Sequence, residues 1–159
     1  MNIELNESEQ VAVNTVNESK VLEQAAEILS KRTFGGECLN SVENTTNFLQ
    51  LKLAGYDREV FSLLLLDSQH RLLEYKELFF GTINAASVYP REIVKATLAA
   101  NAAAVILSHN HPSGIAEPSQ ADIAITKRIK DALSLIDVPV LDHIIVAQES
   151  VSFAQRGLI

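Results

Sequence analysis

The chain has 159 residues, 47% of them apolar and 21% charged, with one cysteine and a formal net charge of −7. A chain of this length buries about two-thirds of its unfolded surface and needs no metal or disulfide staple to fold. The lone Cys38 excludes a disulfide framework or a multi-cysteine zinc site and fits a reducing, cytoplasmic location. The acid excess argues against direct binding to nucleic acid, and no apolar run approaches the ~20 residues of a membrane span.

The opening "MNIELNESEQ" has neither the basic nor the apolar region of a signal peptide. Residues 1–17 are polar and aperiodic and read as a flexible tail. Residues 18–55 read as a short helical segment that covers the main domain. Its first helix carries Val21, Leu22, Ala25, Ala26, Ile28 and Leu29 at helical spacing and ends at "FGG". A second helix has Asn40 or Ser41 as its N-cap and Gly55 just past its end.

The main domain is expected over residues 56–159. "REVFSLLLLD" and "RLLEYKELFF", separated by the polar "SQH", predict a hairpin. "YPREIVKATLAANAA" predicts a buried helix opened by Pro90 and leading into the strand "AAVILSH". After a polar loop, Ser119 precedes an amphipathic helix whose apolar face runs through Ile123, Ala124, Ile129, Ala132, Leu133 and Ile136. "VPVLDHIIVAQ" is a further strand, and "SVSFAQRGLI" a short last strand and tail. Alternating strands and helices predict an α/β architecture, one mixed sheet with helices on both faces.

The stretch "SHNHPSGIAEPSQAD" lies between a buried strand and a helix N-terminus, where such sheets place their ligands. In extended backbone, side chains two apart point the same way, so His109 and His111 aim at one point while Asn110 faces away. Pro112 biases His111 toward that geometry. Ser119 is a good N-cap and Asp122 sits at N3, so the two meet at one helix mouth. Two neutral imidazoles and a carboxylate form a three-ligand set typical of catalytic zinc. With Zn²⁺ the set keeps a charge of +1, which lowers the pKa of a bound water from 15.7 toward ~7.

His109-x-His111-Pro112, followed by Ser119 and Asp122, resembles the JAMM motif of the JAB/MPN metalloprotease superfamily. The longer "HNHPSG", with "PREIVKATL" before it and "LDHIIV" after it, is similar to the RadC family, over about residues 35–157. The resemblance implies a JAB/MPN-like fold with cytidine-deaminase-like layers and a zinc-dependent hydrolase acting on a protein or peptide substrate. It implies His109, His111 and Asp122 as Zn²⁺ ligands, and Ser119 as a hydroxyl that stabilises the oxyanion. It also implies an upstream glutamate as general base; Glu59, at a strand mouth, is the first choice, and Glu77 and Glu92 are the alternatives.

A deaminase would need H-x-E and P-C-x-x-C, which one cysteine cannot supply. The competing expectation is a non-catalytic or regulatory RadC-like module associated with DNA repair or DNA-processing complexes. The longer N-terminal region with a helix-hairpin-helix-like segment, common in the resembling family, has no room here beyond two short helices. His143, in a stretch that reads as a core strand, is expected to be structural or hydrogen-bonded near Asp142 rather than a fourth ligand. His70 reads as solvated in its turn, and Lys127, Arg128 and Lys130 as an exposed helix face.

Overall fold

The structure is a computed structural model that describes residues 18–29, 39, 41–81 and 88–159. The expected tail at 1–17, the "FGG" helix end, Asn40 as a cap and Cys38 lie outside the described residues.

Helix α1 spans 18–29 and α2 spans Val42–Leu53, capped by Ser41, whose hydroxyl accepts from the Asn44 amide. Strands β1 (Val60–Leu66) and β2 (Leu72–Phe80) form the expected hairpin. Helix α3 (Pro90–Ala99) leads to β3 (Ala104–Asn110), and α4 (Gln120–Ser134) leads to β4 (Val140–Val146). The chain closes with β5 (Val151–Ser152) and α5 (Phe153–Arg156). The C-terminal segment is therefore a two-residue strand followed at once by a helical turn, because the Ser152 hydroxyl accepts from the Gln155 amide and starts a helix there.

The sheet order is β2-β1-β3-β4-β5. Strand β1 is antiparallel to β2 and β3, β3 is parallel to β4, and β4 is antiparallel to β5. Every residue of β1 and β3 is buried, which explains why these strands read as continuous rather than alternating apolar runs. On one face Phe61, Leu63, Val105 and Leu107 pack with Ile93 of α3 and with Ile125, Ile129 and Leu133 of α4. On the other, Val60, Leu64, Ile106 and Ile144 pack with Phe48, Leu49 and Leu53 of α2. The domain is thus a mixed sheet between helices, as expected.

Two apolar faces differ from expectation. The buried side of α4 runs through Asp122, Ile125, Thr126, Ile129 and Leu133, whereas Ala124 is exposed. The helix is rotated so that Asp122 and Thr126 face the sheet, and the polar pair displaces part of the apolar stripe. On α1, Val21, Leu22 and Ile28 are exposed, Ala26 is fully buried, and Leu29 packs against the core at the end of the helix.

The parallel pair β3–β4 is joined by α4, so the carboxyl end of β3 and the N-terminus of α4 open toward the same edge. This topology carries His109, His111 and Asp122 to one place.

Candidate metal centre

His109 is fully buried on β3, on the face that packs against α3 and α4. His111 follows just beyond the strand and keeps 14% side-chain exposure. Gly114 adopts φ 81°, a left-handed conformation natural to glycine, and its amide donates to the His111 carbonyl at 3.0 Å. The turn brings the Ile115 carbonyl back to His111, where Nδ1–H donates to it at 2.8 Å. A carbonyl can only accept, so His111 carries a proton on Nδ1, and its neutral imidazole presents a lone pair at Nε2.

Asp122 is held by a capping box at the N-terminus of α4. Its Oδ2 accepts from the Ser119 amide at 2.7 Å and from the Ser119 hydroxyl at 2.6 Å. Those two bonds leave Oδ1 facing His109, while Oδ2 lies 3.8 Å from His111 Nε2. His109 Nε2 lies 3.3 Å from Asp122 Oδ1 and 3.0 Å from His111 Nε2.

His109, His111 and Asp122 each offer one ligand atom, and the three atoms lie within 4.8 Å of one another. Two ligands bound at about 2.0–2.1 Å with tetrahedral angles stand about 3.3 Å apart, so the observed spacing fits a small divalent cation. The donor set is suitable as well: two imidazoles and a carboxylate, buried at the base and open at His111. Burial depresses the pKa of His109 to about 3; the Asp122 carboxylate opposes the shift and His111 adds to it. His109 is therefore a neutral imidazole, the form that can bind a metal.

The remaining carboxylates divide by sheet face. Phe61 is the cross-strand partner of His109, and their rings stack at 6.2 Å. Glu59 directly precedes β1, two positions before Phe61, and is half-buried. Glu77 pairs with Ser62 on the opposite face, where it accepts from the Tyr56 and Tyr75 hydroxyls at 2.7 and 3.1 Å. Glu92 is in the first turn of α3, ion-paired to Lys95 at 2.9 Å and Arg91 at 3.4 Å. The lysine hydrogen bond holds its carboxyl below the usual range.

Three contributors are not marked by the motif. Asn110, between the histidines, points to the other face: its Oδ1 accepts from the Val60 amide at 2.7 Å and its Nδ2 donates to the Arg58 carbonyl at 3.0 Å. Glu59 is bracketed by these bonds, and its own carbonyl accepts from the Gly81 amide at 2.8 Å. His143 and Thr126 lie behind His109, with His143 Nε2 2.8 Å from His109 Nδ1 and Thr126 Oγ1 2.6 Å from His143 Nδ1. Burial holds the His143 pKa well below its ordinary value. A histidine on the neighbouring parallel strand was the available signal for that pair.

Of the other singled-out groups, His70 is exposed in its turn with φ 60°, and Lys127 and Lys130 are exposed on α4. No helix among the described residues is long and apolar enough to cross a membrane.

Residues 39–158 match the family model described as "RadC-like JAB domain". Two proteins of Vibrio cholerae serotype O1, each named "UPF0758 protein", are 63% and 59% identical over 140 residues, covering 88% of this chain and 89% of each relative. A longer "UPF0758 protein" from Tolumonas auensis is 59% identical over 138 residues, 86% of this chain but 62% of that protein. The names of these relatives state no activity.

Proposed function

This chain belongs to the RadC-like JAB domain family, and from that premise we propose that it is a zinc-dependent metallohydrolase cleaving peptide or isopeptide bonds. The observation that carries the reading is the convergence of His109 Nε2, His111 Nε2 and an Asp122 oxygen between the end of β3 and the start of α4. A structural carboxylate and two structural histidines would not need to face one another with their acceptor atoms.

His109, His111 and Asp122 would hold the ion. A zinc ion there supplies Lewis-acid polarisation of a carbonyl and makes water acidic enough to react at neutral pH. Glu59 acts as general base: its carboxylate takes the proton of the attacking water and delivers it to the leaving nitrogen. Its position two residues before Phe61, the cross-strand partner of His109, supports this choice over Glu77, which pairs with Ser62 on the opposite face of the sheet.

Ser119 has two tasks. In the resting site its amide and hydroxyl fix Asp122 Oδ2. The residue is exposed, and its hydroxyl stabilises a developing oxyanion by turning its proton away from Asp122 Oδ2, which keeps the Ser119 amide bond, while the hydroxyl oxygen still accepts from the Asp122 amide. The substrate is a protein or peptide. The experiment is hydrolysis of an unbiased peptide and isopeptide library by zinc-loaded and chelator-treated protein, read by product mass. Cleavage that appears only with zinc supports the reading, and none with either preparation counts against it.

A further inference from the structure

Behind the ligand set a line of hydrogen bonds has only one consistent proton arrangement. Thr126 Oγ1 lies 2.5 Å from the Asp122 carbonyl oxygen. Two oxygens so close require a proton between them, and a carbonyl has none to give, so the threonine hydroxyl donates to Asp122. The hydroxyl has no second proton, and its 2.6 Å contact with His143 Nδ1 is therefore donated by the imidazole.

His143 is fully buried, with its ring 4.7 Å from Phe153 and 5.6 Å from Phe61. Among the described residues its ring nitrogens meet His109 Nδ1 and Thr126 Oγ1 rather than a carboxylate. The nearby Asp142 is engaged with the His143 and Ala154 amides and the Ser152 hydroxyl. A neutral imidazole carries one N–H, and here it is on Nδ1. His143 Nε2 is then an acceptor, so the 2.8 Å contact with His109 Nδ1 is donated by His109. His109 Nε2 is left with a lone pair aimed at Asp122 Oδ1 and His111 Nε2.

We infer that Thr126 and His143 are positioning residues that fix the tautomer of His109 and so present its Nε2 to the metal. The inference rests on the metal-centre reading proposed above. The series is closed: it begins on the backbone carbonyl of Asp122 and ends beside the carboxylate of the same residue. The N-terminal turn of α4 therefore sets both a ligand and the protonation pattern of its neighbour. Metal-binding histidines usually donate their second N–H to a carboxylate, a carbonyl or water. A neutral imidazole in that place adds no negative charge. Asp122 remains the sole anion of the ligand set and its supporting bonds, and the positive charge of a bound divalent ion is less fully cancelled.

Two measurements test this. Long-range ¹H–¹⁵N spectra of the metal-free protein report which nitrogen of each ring is protonated. Competition with a chromophoric chelator gives zinc affinity for the wild type, Thr126→Val and Thr126→Ser. The expected result is Nδ1–H on both His143 and His109, a roughly 10–100-fold loss of zinc affinity in Thr126→Val, and its recovery in Thr126→Ser. His143 protonated on Nε2 in the wild type, or Thr126→Val binding zinc as tightly as wild type, overturns the inference and leaves the metal centre standing. Wild-type protein that takes up no zinc overturns the metal-centre reading and the inference with it. The wild-type spectrum decides even if Thr126→Val fails to fold.

Discussion

Asn110 Oδ1 accepts from the Val60 amide at 2.7 Å, so the residue between the two histidines also fastens the backbone beside Glu59. The second bond, from Asn110 Nδ2 to the Arg58 carbonyl, completes a clamp across the end of the antiparallel pair β1–β3. The residue between the ligands thereby couples the position of the proposed base to that of the metal.

Replacing Asn110 with Ala leaves a buried amide and a carbonyl without their partner. We expect a stability loss of about 2–4 kcal/mol by chemical denaturation. Zinc content should be retained in the folded fraction, because His109 stays fixed by ladder bonds to β1 and β4, while turnover should fall through displacement of Glu59. Loss of zinc with unchanged stability would show that the clamp acts on the ligands instead.

Glu59→Gln and Asp122→Asn should separate catalysis from metal binding. The first keeps size and hydrogen bonding but removes a proton acceptor, so zinc stays and turnover drops by ~10²–10⁴-fold. The second replaces an anionic ligand by a neutral one and should lose zinc and activity together. Elemental analysis beside a turnover assay reads both. Full activity in Glu59→Gln would remove Glu59 from the mechanism.

Asp142 anchors the C-terminal turn to β4 by accepting from the His143 amide at 2.7 Å, the Ala154 amide at 2.9 Å and the Ser152 hydroxyl at 2.6 Å. Asp142→Ala strands these buried donors and should cost about 3 kcal/mol or more. Asp142→Asn can keep the two amide bonds through its carbonyl and turn its NH₂ toward the serine oxygen, so about 1–2 kcal/mol is expected. Equal losses in denaturant midpoints for the two variants would contradict this account of the anchor.

With a net charge of −7, the protein should bind random duplex DNA weakly, and any binding should decline steeply as salt rises. A gel-shift titration from low to physiological salt checks this. Tight binding at physiological salt would favour a DNA-associated module over the hydrolase reading.

The parts of the fold and site that are local in the chain could be read from sequence. His109 and His111 share a direction through strand alternation, and Ser119 with Asp122 forms a capping box within one turn; both are short-range geometry. The hairpin and the helix opened by Pro90 are local in the same sense. Thr126 and His143 were not legible as partners, because their meeting depends on the parallel pairing of β3 with β4 and on the rotation of α4. That rotation also separates the α4 apolar face from its hydrophobic pattern, since a buried Asp and Thr face the sheet while Ala124 is exposed and Ile123 packs instead beside Phe153. Asn110 could be seen to face away from its neighbours, but what it grips is set by the register of β1, some fifty residues earlier in the chain.

The central claim is that His109, His111 and Asp122 together hold one metal ion, and elemental analysis combined with X-ray absorption tests it most directly. The purified wild type should carry about one zinc per chain, with two nitrogen ligands at ~2.0–2.1 Å and a carboxylate oxygen at ~2.0–2.2 Å. The His109→Ala, His111→Ala double variant should carry none. Zinc retained undiminished in a folded double variant would place the metal elsewhere and contradict the account.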